Sequence, residues 1–384
     1  MSDDFDFSDS ASQAKDGDGD YDMQSVVSSQ ASSSGSTVPS IYSFNSTRDG
    51  MALLRHVEGR IFNAQNDMYF LPADDTEYAR LEKGYLLQLV DLGHLYIEHE
   101  NVQRILAPEP GKTKRILDMG SGSGNWVVGM GTEFPHAEVI GIDLAPSGSW
   151  GEPPPNCRFE YDDLNLGLAH FYNSCDIVNT HSTSGGIKDY GWYINEAAKC
   201  GMLLLAEGHT ELLNSRKELQ EMAFGEGNPG ESWLARTLFE FYNATKRRGS
   251  SADARTKLYE LAKRCPLLSN VGGRIDYYPV GPWERGRNSE ETRRKEIVGI
   301  LLRQSFTELL QSIKPIFFSQ GYDAPLVQQF VDGSEREMNE LNLHMYARCY
   351  RAWGTRNSIP LESLESDAKQ IPTTGDCGQG VDDQ

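Results

Sequence analysis

The sequence predicts an α/β fold: a Rossmann-like, doubly wound and mostly parallel sheet, with an N-terminal helical cap and a helical insertion before the last strands. Three observations carry this expectation. Short apolar runs alternate with helix-patterned segments from residue 115 onward, a glycine-rich turn follows the first run, and acids stand at the ends of three successive runs.

Taken in order, residues 1–48 are dominated by Ser, Asp, Gly and Gln and are expected to form a disordered acidic tail, because so few aliphatic side chains cannot offset the entropy of ordering the chain. Residues 49–108 are expected to form the cap. The stretch from Met51 to Ala107 reads as helical, with Leu81, Tyr85, Leu89, Leu92 and Tyr96 recurring at three-to-four spacing. The main domain is expected over 109–356. Its first strand centres on Arg115-Ile116-Leu117-Asp118, a helix follows from Asn125 to Phe134, and Ala137–Asp143 is the second strand. Further strands are expected at Cys157–Tyr161, Cys175–Asn179 and Gly201–Ala206. Glu231–Cys265 reads as helical, Arg274–Val280 as a strand, Arg293–Ile313 as an amphipathic helix, and Leu341–Trp353 as the final strand. Residues 357–384 are expected to form a second disordered tail.

The turn after the first strand, Asp118-Met119-Gly120-Ser121-Gly122-Ser123-Gly124, sets three glycines at every second position. Glycine permits positive φ and close backbone approach, and the following helix start offers free N–H groups to a ligand. In a dinucleotide site the third glycine falls one position later, in G-x-G-x-x-G. Here that place is Asn125. Asp118 is the second distinction, since a carboxylate there repels pyrophosphate and attracts the ammonium and sulfonium of S-adenosylmethionine. That cofactor therefore fits the loop better than NAD. A P-loop is excluded because Leu106 stands where the leading glycine of Gly111-Lys112-Thr113 belongs, and a strand follows rather than a helix. Asp143, 19 residues after Gly124, is placed to accept ribose hydroxyls, with Leu144 beside it, and Asp162-Asp163 to accept an adenine amino group. The expected cofactor-binding residues are thus Asp118, Gly120, Ser121, Gly122, Gly124, Asp143, Leu144, Asp162 and Asp163.

Composition narrows the remaining classes. Against 56 Asp and Glu the chain of 384 residues carries 36 Lys and Arg, a net charge of −20, which disfavours a protein that grips a phosphate backbone. Nucleic acid is not expected as a direct partner, and Lys246-Arg247-Arg248 reads as a solvated helix end. The six cysteines show neither C-x-x-C spacing nor a histidine at ligand spacing, so no metal is expected. No apolar run approaches the length of a membrane span, and no secretion signal is visible. A cytoplasmic or nuclear location and no membrane partner are expected.

Together these motifs resemble the LaeA-like methyltransferases of fungi, a family of secondary-metabolism regulators and cluster-encoded enzymes. The resemblance runs from about Tyr69 to about Arg356. It rests on Tyr69-Phe70-Leu71-Pro72 with Asp75, Glu77, Arg80 and Leu81, and on the glycine loop through Asn125-Trp126. It continues through Glu133-Phe134-Pro135, Val139 to Pro146, Pro154-Pro155-Asn156, Phe159 and Asp162-Asp163. Gly185, Ile187 and Asp189, Gly281-Pro282-Trp283 and His344-Met345-Tyr346 complete it. The chain departs from the family at Asn179, His181 and Tyr190, where the family shows His, Arg and Trp, and at Lys199-Cys200-Gly201 in place of Pro-Gly-Gly. The resemblance implies a class I S-adenosylmethionine-dependent methyltransferase fold. It also implies either a small-molecule acceptor, methylated on oxygen in a secondary-metabolite pathway, or a regulator that methylates protein or binds partners.

On the acceptor side His181 is the candidate catalytic base, placed at the ligand edge of the sheet; the competing reading is a hydrogen-bonded wall residue. Glu207 and His209 follow the fifth strand. Tyr69, Phe70, Trp126, Tyr278 and Trp283 are candidate lining for an apolar pocket.

Overall fold

The computed structural model describes residues 53–147 and 152–361. The expected tail at 1–48 and nearly all of that at 357–384 lie outside the described residues.

Residues 54–63 of the expected cap are not helical. Leu54–Val57 (β1) and Arg60–Asn63 (β2) form an antiparallel hairpin. Its two turn residues, Glu58 and Gly59, both take positive φ, the backbone twist that a two-residue hairpin turn requires. After the hairpin comes the helix α1 (Asp75–Leu92), capped by the Asp74 carboxylate, which accepts from the Glu77 N–H, and ended by Gly93 at positive φ. A short α2 (His99–Ile105) leads to the sheet.

The first sheet strand, β3 (Lys114–Met119), is followed by α3 (Asn125–Glu133), β4 (Ala137–Asp143), β5 (Cys157–Tyr161) and β6 (Ile177–His181). Next come α4 (Tyr190–Cys200) and β7 (Met202–Asn214), which runs eight residues past the expected Ala206. The sixth strand lies two residues later than expected, so His181 ends it rather than following it. The segment expected as one helix from Glu231 to Cys265 is α5 (Trp233–Arg247), a 3-10 turn at Ala252–Lys257, and α6 (Leu258–Arg264). Gly249 at positive φ breaks it. β8 (Leu268–Pro279) begins earlier than expected. Three helices follow: α7 (Ser289–Ser312), α8 (Lys314–Ser319) and α9 (Ala324–Glu340), the last two without a counterpart in the sequence reading. Leu341, expected to open the final strand, instead caps α9 in the left-handed region, and β9 is Met345–Arg356.

The strands lie side by side in the order β5-β4-β3-β6-β7-β9-β8, all pointing one way except β9, which is antiparallel to both neighbours. The chain winds outward from β3 to β5, returns to β6 and winds the other way. That reversal opens a crevice at the carboxyl ends of β3 and β6. Alternate residues supply the two faces: Leu117, Met119, Ile140 and Val178 pack with α4 and α6, while Ile116, Val139 and Ile177 pack with α2 and α3. Burial on both faces explains the near-continuous apolar runs. A third core joins Phe62 and Phe70 to α5, α7, α8 and α9, so the cap and the insertion form one helical layer over the crevice.

Candidate active site

Between this layer and the strand ends lies a cavity of about 380 Å³, within the range of small-molecule sites. Asp118, Gly120, Ser121, Gly122, Asp143, Leu144, Asp162, Asp163 and His181 all line it. Gly124 stands apart from them. It takes positive φ at the start of α3, and a Cβ there would lie 2.8 Å from the Phe159 ring, so its task is to turn the chain.

Parallel register sets Asp118 of β3 opposite Asn179 of β6. The Asn179 Nδ2 donates to Asp118 Oδ1 at 2.8 Å. Asp118 is 3% exposed, and burial, opposed by that hydrogen bond and reinforced by the neighbouring Asp143 charge, pushes its carboxyl up to about 7. Asp143 reaches back across the loop, its Oδ2 accepting from the Gly122 N–H at 2.7 Å and its Oδ1 from the Ala145 N–H at 3.3 Å. Burial raises its pKa too, against those backbone bonds. Gly120 takes positive φ, and a Cβ there would come within 2.6 Å of the Thr183 methyl. The two acids after β5 differ. Asp163 caps the next turn, accepting from the Asn165 N–H and side chain, and from Asn66 Nδ2 at 2.9 Å. Asp162 accepts from the Asp163 N–H, and burial raises its pKa.

The cap is stitched to this wall. Gln65 Nε2 donates to the Leu144 carbonyl at 2.5 Å and the Tyr78 hydroxyl to that of Pro146. Asn63 and Asn66 fold the intervening turn, which carries the Tyr69 backbone: Asn63 Nδ2 donates to the Tyr69 carbonyl and the Tyr69 N–H to Asn66 Oδ1. Tyr69, Phe70, Trp126 and Tyr278 line the cavity as expected. Trp283 does not: it stacks on His344 with ring centroids 4.5 Å apart, and packs edge-on against Tyr346.

His181 sits beneath Gln88 of α1, whose Nε2 lies 3.1 Å from both ring nitrogens. The other end of that amide accepts from Arg351 Nη1 at 3.3 Å. Since Arg351 only donates, the Gln88 amide is oriented with its NH2 toward the imidazole, which must then accept. Burial, with the Arg351 and Arg80 charges, holds His181 down to about 3. This is a neutral ring whose acceptor side already faces a donor, the environment of a wall residue more than of a base. Arg351 is itself fixed by Asp276 at 2.6 Å and by the Tyr278 hydroxyl at 3.0 Å.

Glu207, 1% exposed, is a fastener. It accepts from the Thr183 and Ser184 N–H groups at 2.7 and 2.9 Å, from Ser184 Oγ at 2.7 Å and from the Tyr190 hydroxyl at 2.9 Å. His209 Nδ1 accepts from the Glu211 N–H at 3.0 Å, and burial plus the Arg348 charge lower it to about 4. The sequence reading missed Gln88, Arg255 and Arg351, and took Arg80 only as part of a motif. Gln88, Arg255 and Arg351 come from elements remote in sequence, and no local pattern marks them.

No protein-family model matches the chain. Among curated proteins, it is 32% identical over 332 residues to the protein-methionine methyltransferase laeA of Emericella nidulans, covering 80% of this chain and 76% of that one. The chain belongs to the LaeA-like methyltransferase family. It is also 28% identical over 321 residues to the secondary metabolism regulator laeA of Coprinopsis cinerea, covering 82% and 77% of the two chains. With the methyltransferase pytC of Aspergillus terreus the identity is 29% over 283 residues, covering 72% and 79%. Among solved structures, the phosphoethanolamine N-methyltransferase 2 of Haemonchus contortus aligns with a TM-score of 0.38 at 15% identity, over 77% of this chain and 62% of that one. Two positions at which this LaeA-like chain departs from the family motif have visible work here: Asn179 clamps Asp118, and Tyr190 donates to Glu207. Among the described residues, no helix is long and apolar enough to cross a membrane.

Proposed function

We propose that the carboxyl ends of β3, β4 and β5 hold S-adenosylmethionine and that the rest of the cavity takes a small-molecule acceptor, methylated on oxygen. The observation that carries this reading is the gathering of Asp118, Asp143, Asp162 and the glycine turn on one wall of a single cavity whose facing walls are largely apolar. Ser121 supports the fit, because its hydroxyl is buried in this loop and has no hydrogen-bond partner among the described residues, a deficiency that a polar ligand relieves.

The bound donor supplies an electrophilic methyl group on a sulfonium. Asp118 faces the ammonium end and Asp143 the ribose hydroxyls, with Asp162 left for the adenine edge, since Asp163 is engaged with Asn165 and Asn66. The cap excludes water and holds the acceptor in line; orientation of this kind is worth about 7 to 11 kcal/mol in favourable cases. His181, kept neutral and bridged through Gln88 to Arg351, positions the acceptor rather than taking its proton.

A second reading, methyl transfer to protein, has the name of the Emericella nidulans relative in its favour. The test is calorimetric titration of the full chain with S-adenosylhomocysteine, followed by labelled methyl transfer into a cell extract separated into protein and small-molecule fractions. Binding with label in the small-molecule fraction is expected. Label confined to protein supports the second reading, and no binding overturns both.

A further inference from the structure

Four guanidinium groups line the cavity, and they are not equivalent. Arg80 is paired with Glu77 through Nε and Nη2 at 2.9 and 2.6 Å. Arg351 is paired with Asp276 at 2.6 Å and Arg348 with Glu211 at 2.9 Å. Arg255, in the 3-10 turn before α6, has no such partner among the described residues. Its one side-chain hydrogen bond among those residues runs from Nε to Ser184 Oγ at 2.7 Å, although it is only 7% exposed. Its nearest carboxylate, Glu207, is reached only through the Ser184 hydroxyl and meets the Nε side, so the two terminal nitrogens, which no side chain of the described residues binds directly, are left for whatever enters the cavity.

The surroundings hold this group in place. Ser184 accepts from Arg255 and donates to Glu207, whose carboxylate is already occupied by Thr183, Ser184 and Tyr190. The turn carrying Arg255 is pinned to the loop after β6 by Ser251, whose N–H donates to the Ile187 carbonyl at 2.7 Å and whose hydroxyl donates to that of Lys188 at 2.6 Å. The guanidinium is therefore preorganised, with its outer edge toward the cavity. Phe70, Leu238, Phe241, Leu302, Phe306 and Leu309 supply apolar wall in the same cavity.

Resting on the methyl-transfer reading above, we propose that Arg255 is the anchor for a carboxylate on the acceptor, so that the acceptor class is a small apolar monocarboxylic acid. One planar guanidinium fork matches one carboxylate. A dianionic phosphate would bring a second charge that no unpaired cation on these walls meets. The donor's own carboxylate is the competing occupant.

The full chain, saturated with S-adenosylhomocysteine, is titrated calorimetrically with cinnamate and decanoate and with their primary amides. The acids are expected to bind at least tenfold more tightly than the amides. Arg255→Gln is expected to abolish that preference while keeping S-adenosylhomocysteine affinity within twofold, and Arg255→Lys, which keeps the charge without the fork, to retain part of the preference. Equal binding of acid and amide by the wild type, no binding of the acids at millimolar concentration, or an undiminished preference in Arg255→Gln overturns the proposal. A tenfold loss of S-adenosylhomocysteine affinity in Arg255→Gln also overturns it, by assigning the guanidinium to the donor. Should the wild type not bind S-adenosylhomocysteine at all, the methyl-donor reading fails instead, and the acid and amide titrations of the bare chain decide on Arg255.

Discussion

The two halves of the cavity are built differently. At the ends of β3, β4 and β5 the polar groups come from short consecutive stretches, and their geometry follows from strand register and a glycine turn: Asp118 beside Asn179, and Asp143 folded back on Gly122. At the ends of β6, β7 and β9 the principal polar groups are held by partners from other elements. Gln88 of α1 bridges His181 and Arg351, Asp276 of β8 holds Arg351, and Glu207 of β7 holds the loop after β6. The donor half is thus a local device, and the acceptor half is an assembly that exists only once the cap and the insertion have docked. Substitutions in the first are expected to change donor affinity, and substitutions in the second to change stability and acceptor choice.

The largest effect is expected at Glu207. In Glu207→Ala the Thr183 and Ser184 N–H groups and the Tyr190 hydroxyl lose a charged acceptor in a buried place, at a cost of about 3 kcal/mol or more. Urea unfolding measures this directly. A loss under about 1 kcal/mol would mean that the loop is held by other contacts, and the contrast between the halves would weaken.

Asp143→Ala probes the other side. The lost charge-assisted bonds to the ribose are expected to weaken S-adenosylhomocysteine binding by about 3 kcal/mol, roughly 150-fold. An affinity within twofold of wild type would remove Asp143 from the donor site.

These two residues also show how much was legible in the sequence. The glycine turn, Asp118, Asp143 and the order of the central strands are readable because each is marked by its own short segment, an apolar run ending in an acid or in glycines, even though the partners of the acids, Asn179 and Gly122, lie farther along the chain; the apolar runs follow from burial on both faces. The hairpin at Leu54–Asn63 was hidden by its short strands, and Glu58-Gly59 is a weaker turn signal than Asn-Gly. Arg255 and Gln88 were unreadable for another reason. Nothing in a local pattern says that a 3-10 turn beyond β7, or one face of α1, will meet the end of β6. Asp162-Asp163 lies between these cases: the pair is visible, but its division of labour depends on Asn66 of the cap.

A smaller effect is expected in the pH dependence of donor binding. Asp118 has its folded pKa raised to about 7, so in the donor-free chain it holds a proton at pH 6 and has largely lost it at pH 8. The ammonium of the donor favours the ionised form, so binding below pH 7 releases a proton and affinity rises with pH, by about tenfold between pH 6 and pH 8. In Asp118→Asn that slope should vanish. The same shift makes a contribution to stability that is full below the unfolded pKa near 4 and is lost as pH rises through 7. Thermal melts of the donor-free chain should show this component in the wild type and lack it in Asp118→Asn.

The smallest effect is expected at His181, and it separates positioning from proton transfer. Burial and two guanidiniums hold the ring down to about 3, so it is neutral from pH 5 to 8 and has no titration to impose on turnover there. His181→Gln, which keeps a polar group toward Gln88, should lower kcat by less than tenfold and leave the shape of the pH–rate profile unchanged. Because the folded pKa lies below the ordinary value near 6.5, protonation of His181 opposes folding as pH falls below 6.5. The variant should therefore be relatively more resistant to acid than the wild type. A loss of kcat beyond a hundredfold, together with the disappearance of an inflection between pH 6 and 7, would instead make His181 the base. The Gln88 amide would then have to turn away from the imidazole when the acceptor binds.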